Sequence, residues 1–334
     1  MFVVLNHNPF DTAGSGGARL AEIANARRVA TPTVCLDIGL LNNMPDAALR
    51  ATERQFSDLL TAAAGDRIIR LHFFTLGEIA RGSADSARLR AAYGDFRELR
   101  NKPLDGLIVT GCEPRAERLT DEPYWKGLAD VIDWAEHNTH STIWSCLAAH
   151  AAVLHLDGIE RQRLAEKRSG VFDCYAAAED PLLADVPASL PISHSRWNDL
   201  PERALVAHGY QVLTRSPAAG VDIFAKRWRS LFLFFQGHPE YAADTLMREY
   251  RRDVGRYLRG ESGRHPTIPV GYFQRRVEAE LLAFAAAAHA DRNPALLERF
   301  PSDAALRSGL IRGESSAGVT VVANWLTYLA SRKY

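Results

Sequence analysis

The chain has 334 residues, 47% of them hydrophobic, and its 40 lysines and arginines are matched by 40 aspartates and glutamates. That length suits one large α/β domain, or a domain with a substantial appendage, and can bury a sizeable core. Zero net charge apart from histidine removes any global attraction to nucleic acid or to an anionic membrane.

The four cysteines, Cys35, Cys112, Cys146 and Cys174, have no C-x-x-C spacing. Neither a zinc knuckle nor a disulfide framework is therefore expected, and the thiols read as reduced. No apolar run is long enough to span a membrane, and the first ten residues lack the basic region and long apolar stretch of a signal peptide. A soluble, cytoplasmic protein is the expectation.

In chain order, residues 1–32 read as a Gly/Ser-containing leader followed by a short Ala/Arg-rich helix. Residues 33–41 read as a strand closed by the turn Asn42-Asn43-Met44-Pro45, and a helix follows with Phe56, Leu59 and Leu60 on its apolar side. A second strand spans 68–74, and the polar, Ala/Arg-rich connection after it reads as helical. Residues 105–111 are nearly all apolar, as a parallel strand buried on both faces should be. An amphipathic helix over 124–136 leads to the strand Thr142-Ile143-Trp144-Ser145, which breaks into a small-residue helix at Cys146.

This alternation predicts a doubly wound, mostly parallel sheet flanked by helices. Beyond residue 160 the pattern predicts strands at 170–175 and 204–207, a hairpin of 221–226 with 230–235, and an arginine-rich helix at 245–258. A polar loop at 259–275 and helices near 275–290 and 316–331 complete the chain. Residues 33–334 are expected to be a single domain, of which 259–334 is a helical elaboration.

Chemistry concentrates at the strand ends, where open α/β sheets place their sites. Cys146 stands at a strand-to-helix break, where helix N–H groups are offered to an oxyanion and Leu147 is the natural donor. Far downstream, the apolar run 231–235 ends in Gln236-Gly237-His238-Pro239-Glu240. A lone cysteine is most often a buried structural residue, and a lone histidine after an apolar strand is most often part of the core. Nucleophile, base and orienting acid at strand ends together suggest a triad of Cys146, His238 and Glu240. Gly237 is expected to supply an unusual backbone angle and Pro239 to stiffen the turn beyond His238. His150, one helical turn past Cys146, is a rival base, disfavoured because a side chain on the same helix points back along it.

The turns at Asn43-Met44-Pro45 and Thr110-Gly111-Cys112 read either as plain turns or as sources of N–H donors to an acyl oxygen, Met44 among them. Lys167, Ser195, Arg196 and Arg252 read singly as surface residues; together they suit the carboxylate and amine of an amino acid. No residue spacing suggests a metal cluster, so neither a metal nor a bound cofactor is expected.

A longer set of blocks resembles one family. It comprises Leu41-Asn42-Asn43-Met44-Pro45, Thr52-Glu53-Arg54-Gln55-Phe56, Asp105 to Gly111, Tyr124-Trp125 and the Cys146 turn. It continues through Glu166-Lys167-Arg168-Ser169-Gly170-Val171, His194-Ser195-Arg196-Trp197, Gly237 to Tyr241, Arg252-Asp253 and Asn324-Trp325-Leu326. In order and spacing these resemble the homoserine O-acyltransferases of methionine biosynthesis, with a class I glutamine-amidotransferase-like fold, from about residue 33 to 330.

The resemblance implies an acyl-CoA co-substrate, succinyl-CoA or acetyl-CoA, whose acyl group Cys146 carries as a thioester. His238 is then the base, Glu240 its partner, and Lys167, Ser195 and Arg252 fall on amino-acid-binding positions. Small-molecule substrates and a homodimer are implied as partners. Departures are visible. Asp46-Ala47 replaces the lysine pair usual after Met-Pro, Cys112-Glu113 replaces Ala-Pro after Thr-Gly, and Leu147 replaces tryptophan. The donor-sorting position falls on Arg115, which favours the free carboxylate of a succinyl group; serine is an alternative acceptor to homoserine. Glutamine amidotransfer on the same scaffold is the rival enzyme class, and a non-catalytic binding protein is the third reading.

Overall fold

The apolar runs of the N-terminal half form strands in a computed structural model that describes residues 2–5, 34–82, 92–311 and 316–333. β1 (Phe2–Leu5), β2 (Cys35–Leu41), β3 (Ile68–Phe74), β4 (Gly106–Val109) and β5 (Ser141–Ser145) pair in parallel in the order β1-β3-β2-β4-β5. Parallel pairs need crossovers, and helices supply them. These are α1 (Asp46–Ala63), α2 (Phe96–Asn101), α3 (Trp125–Asn138) and α4 (Leu147–Asp157).

α1 buries Leu49, Thr52, Phe56, Leu59, Leu60 and Ala63, the three- and four-residue spacing of one helical face. α2 begins with a capping box between Asp95 and Glu98. The connection after β3, read as helical from its composition, is helical chiefly at this short α2; residues 83–91 lie outside the described ones. The expected leader also lies outside them, apart from residues 2–5, which form β1.

The chain divides into two compact units. The first comprises Met1–Leu156, Lys226–Leu233 and Val322–Tyr334. Its core is the buried face of the parallel strands, with Leu36, Ile38, Leu40, Ile69, Leu71, Leu107 and Ile108 each at most 1% exposed. Gly106 is required by close approach: a Cβ there would stand 2.7 Å from Leu329 and 2.8 Å from Trp325. The Trp325 indole donates to Ser141 Oγ at 2.8 Å, and that hydroxyl donates to the Leu231 carbonyl at 2.6 Å.

The second unit comprises Asp157–Ala225 and Phe234–Val321. In it β6 (Gln162–Ala176), β7 (Leu190–Asp199), β9 (Thr214–Ser216) and β10 (Gly220–Val221) form an antiparallel sheet ordered β10-β9-β6-β7. β8 (Gln211–Val212), β11 (Ile223–Arg227) and β12 (Leu231–Phe235) belong to the larger sheet, which runs β1-β3-β2-β4-β5-β12-β11-β8. β11 and β12 are the expected hairpin.

Residues 204–207, expected as a strand, lie instead in α5 (Glu202–Ala207). The four-residue apolar run was too short to fix a period. Leu205 alone of it is fully buried while Val206 is exposed, and Gly209, at φ 80°, closes the helix by donating to the Val206 carbonyl. α6 (Thr245–Leu258) and α7 (Arg275–Ala290) fall where the sequence places them. They pack Leu246, Met247, Val254, Val277 and Leu281 into the second unit's own core. α8 (Asp303–Ser308) and α9 (Ser316–Arg332) follow. Among the described residues no helix is long and apolar enough to cross a membrane.

Candidate active site

Every residue of β5 is buried, and the chain turns sharply at its end. Cys146 has φ 51°; it and Asp185 are the non-glycine residues with positive φ among those described. This left-handed conformation costs an L-residue about 1–3 kcal/mol and persists only where the surroundings impose it. Here α4 begins at the very next residue, and the amides of Ala149 and His150 donate back to the Cys146 carbonyl at 3.0 and 3.3 Å. The half-buried thiol therefore stands at the start of a helix whose first amides have no intrahelical acceptor. His150, the rival base, is buried in α4.

Gly111 lies directly against this turn. A Cβ on it would fall 2.4 Å from the Leu147 Cβ and 3.1 Å from the Leu147 nitrogen. Thr110 also ties in the Met44 turn: its hydroxyl accepts from the Asn43 amide at 2.9 Å, and its carbonyl accepts from Asn43 Nδ2 at 3.3 Å. The Met44 amide donates to Asn42 Oδ1 at 3.2 Å, a long bond that an acyl oxygen would have to displace.

Arg81 braces the same turn from outside. Its guanidinium donates to the Met44 carbonyl at 2.5 Å, Asp46 Oδ1 at 3.1 Å, the Asn42 carbonyl at 3.3 Å and Thr75 Oγ1 at 2.8 Å. Asp46, one of the departures noted in the sequence, is thus Arg81's ion-pair partner. Arg115 is exposed on a loop fixed through its backbone: the amides of Arg115 and Ala116 both donate to the buried Glu122 Oε1, at 2.5 and 2.7 Å.

In the second unit, His238 follows the fully buried β12. Its amide donates to the Ser193 carbonyl at 2.7 Å, and its Nδ1 lies 2.8 Å from Glu240 Oε1. With Nδ1–H given to that carboxylate, the basic lone pair sits on Nε2. Gly237 was expected to supply an unusual backbone angle, but it is absent from the positive-φ glycines. Space is the reason for glycine here, because a Cβ would stand 2.5 Å from Asp222 Oδ1, 2.5 Å from Ile192 and 3.0 Å from His194.

Beneath Gly237 lie Cys174, His194 and Asp222, all buried, with side-chain atoms within 4.8 Å of one another. Burial raises the Cys174 thiol and holds His194 well below the ordinary histidine range; it also pushes the Asp222 carboxyl up to about 6 against the pull of Thr214 and Arg196. The Arg196 guanidinium beside this cluster counts against a cation there. Arg196 is itself 3% exposed, and it donates to Asp199 Oδ1 at 2.7 Å, the Asn198 carbonyl at 2.9 Å and the Ala219 carbonyl at 2.5 Å. It is placed to brace β7.

The other amino-acid-binding candidates converge on α6. Between the pairs Arg163↔Asn198 and Arg168↔Arg196, residues 164–167 of β6 face Trp197 alone, and Lys167 sits at the end of this bulge. Its ammonium lies 2.8 Å from Asp253 and 3.7 Å from Glu249. The Ser195 hydroxyl donates to Glu249 Oε2, and the Tyr241 hydroxyl donates to Glu249 Oε1 at 2.8 Å. Arg252, its side chain half exposed, pairs with Asp253 at 2.9 Å. Burial opposes ionisation of Glu249, but Lys167, Ser195, Arg252 and His238 outweigh it and hold the carboxyl below the usual range. The balance is the same for Asp253, where Lys167 and Arg252 overcome desolvation.

A family model for homoserine O-succinyltransferase matches residues 19–334. The chain belongs to the homoserine O-succinyltransferase family. The homoserine O-succinyltransferase of Rhodopseudomonas palustris is 54% identical to it over 296 residues, covering 89% of this chain and 89% of the relative. That of Bradyrhizobium japonicum is 50% identical over 312 residues, covering 93% and 95%. A glutamine amidotransferase from Thermotoga maritima aligns over 90% of this chain and 99% of its own at 12% identity, with a TM-score of 0.44.

Residues with no role assigned from sequence are prominent in this family member's second unit. Glu249 and Asp253 lie on a helix read as arginine-rich, and Tyr241 closes the Gly237–Tyr241 block. The available signal was the spacing 249, 252, 253, which puts two acids and an arginine on adjacent turns of one helix face. Gly237→Ala is expected to destabilise the protein by about 1–3 kcal/mol through overpacking and to lower turnover far more than substrate affinity, since it displaces the His238 turn. Thermal unfolding and steady-state kinetics check this; wild-type turnover in the variant would remove the Asp222 approach as the reason for glycine.

Proposed function

We propose that this chain transfers a succinyl group from succinyl-CoA to the hydroxyl of homoserine, in methionine biosynthesis in the cytoplasm, through a thioester on Cys146. The observation that carries the mechanism is the left-handed Cys146 at the β5–α4 junction, a strained backbone held where helix amides converge.

His238 takes the Cys146 thiol proton as Sγ attacks the thioester carbonyl of the donor, and the oxyanion is met by the amides of Leu147 and, after release from Asn42, of Met44. The intermediate collapses, His238 returns that proton to the departing sulfur so that CoA leaves as its thiol, and the acyl group remains on Cys146. The homoserine hydroxyl then attacks this thioester and gives up its proton to His238, and Cys146 is released as the product ester forms. Glu240 stabilises the imidazolium formed on the way. Thioester to thioester is nearly balanced and thioester to oxygen ester runs downhill, so the second step draws the first forward. Ping-pong kinetics results.

Acceptor binding falls to Arg252 for the carboxylate, with Lys167 and Ser195 set in place by Glu249 and Asp253. Arg196 acts by bracing β7.

The test is intact-protein mass spectrometry after mixing with succinyl-CoA or acetyl-CoA. A gain of one succinyl group, discharged by homoserine but not by serine, is expected. No adduct from either donor, together with release of ammonia from glutamine, would move the chain to the rival enzyme class.

Arg115, on its pinned loop, is proposed to pair with the free carboxylate of the succinyl group. Arg115→Ala should lower kcat/KM for succinyl-CoA by about 10–100-fold and leave acetyl-CoA nearly unaffected, as befits loss of one charge-assisted contact. Equal losses with both donors would remove this role.

A further inference from the structure

His238 is held on a second side as well as by Glu240. The Tyr241 ring lies almost flat against the imidazole, with centroids 4.1 Å apart and an interplanar angle of 17°. The Tyr241 hydroxyl donates to Glu249 Oε1 at 2.8 Å, on the same carboxylate that accepts from Ser195 and stands 3.7 Å from Lys167. Tyr241 also packs against the apolar core of α6 and α7, so its ring rests on a rigid floor.

A single hydrogen bond at Nδ1 fixes one atom of an imidazole but leaves the ring free to rock about that bond. A flat aromatic neighbour removes this freedom. We propose that Tyr241 is a positioning residue for His238: its ring clamps the imidazole, and its hydroxyl ties the clamp to the carboxylate that organises Lys167 and Ser195. The inference rests on His238 being the base in the function proposed above. It adds that the base and the acceptor-binding cluster share one mechanical support, so each is set in register with the other.

A stacked ring also changes the proton affinity of the group it covers. The negative face of a phenol favours a cation over it, and so favours imidazolium over imidazole. Other groups acting on His238 are Glu240 from its own turn, Glu249 from α6 and His194 from β7. Replacing Tyr241 removes its hydrogen bond to Glu249 as well as the ring, so Tyr241→Phe, which loses that bond and keeps the ring, isolates the ring's contribution to the pH profile.

The experiment compares Tyr241→Leu, Tyr241→Phe and His238→Asn in the full-length protein, with kcat and kcat/KM for homoserine measured against pH. For Tyr241→Leu, kcat should fall about 10–100-fold with KM changed less, the rate expected of a mispositioned base. The acidic limb of kcat/KM should move down by about half a unit to one unit as the cation–π contribution is lost. Tyr241→Phe keeps the ring, so its limb should stay in place while kcat falls several-fold from loss of the tether.

A folded Tyr241→Leu protein with an unmoved acidic limb overturns the clamp. If Tyr241→Leu does not fold, Tyr241→Phe decides alone: wild-type kcat overturns the tether, and a shifted limb overturns the role of the ring. Retained turnover in His238→Asn would instead sink the identity of the base, and that outcome is separate from either.

Discussion

Replacing Cys146 with alanine should abolish the acyl adduct and lower kcat by about four orders of magnitude or more, the scale on which a covalent nucleophile is missed. Only direct attack of homoserine on the acyl-CoA thioester would remain, without the acyl-enzyme on Cys146 and its ping-pong sequence. The same position makes a second expectation, about stability. At φ 51° an alanine keeps the left-handed strain, whereas a glycine relieves it. Glycine ordinarily costs stability relative to alanine because it frees the unfolded chain, by about 0.5–1 kcal/mol. At residue 146 that order should vanish or reverse, so Cys146→Gly melts no lower than Cys146→Ala while both are inactive. Intact-mass analysis and thermal unfolding on the same two proteins read both effects. An alanine variant that melts well above the glycine variant would mean that the junction stores no strain. An adduct surviving in Cys146→Ala would place the acyl group on another residue.

The sequence was most legible where one physical signal dominated. Ile68–Phe74, Thr245–Leu258 and Arg275–Ala290 fall where apolar pattern and boundary residues put them, because the strand is an apolar run buried over its last four residues and each helix buries a continuous face. α5 was misread because four apolar residues carry no period, and its Gly209 stop signal stands two residues beyond. The α/β alternation was readable, whereas no local pattern assigns segments 226–233 and 322–334 to the first compact unit, to which they return after long excursions.

At the candidate site, positions at strand ends announced themselves, whereas groups gathered by tertiary approach did not. Glu249 looks like one more acid on a charged helix until Lys167, Ser195 and Tyr241 are brought to it. Gly237 was correctly picked out, but for backbone freedom rather than for the carboxylate of Asp222, which is distant in sequence. Cys174, His194 and Asp222 come together from β6, β7 and the β10–β11 junction, which no residue spacing could have revealed. The Asp46 departure was visible, but its partner Arg81 came from a different segment.

His238→Asn is expected to lower kcat by about 10²–10⁴-fold, the contribution of a positioned general base. Glu240→Gln should approach that loss although it changes only one atom of the side chain. The carboxylate can only accept from Nδ1, which leaves the basic lone pair on Nε2. A glutamine amide can instead donate to Nδ1, and the proton then resides on Nε2, where it blocks the base. Loss of the negative charge also removes support for the imidazolium, so the acidic limb of kcat/KM should move to lower pH in Glu240→Gln. Glu240→Asp, which keeps the charge but shortens the reach, should retain more activity than Glu240→Gln; the reverse order would show that charge and tautomer are not what Glu240 supplies. Separating the half-reactions sharpens the result. In the mechanism proposed, His238 takes the proton from Cys146 in the first and from homoserine in the second, so both single-turnover rates fall in His238→Asn. If acylation alone keeps its wild-type rate, a different base serves the thiol. His150, one turn along α4 with its amide bonded to the Cys146 carbonyl, would then be the residue to replace.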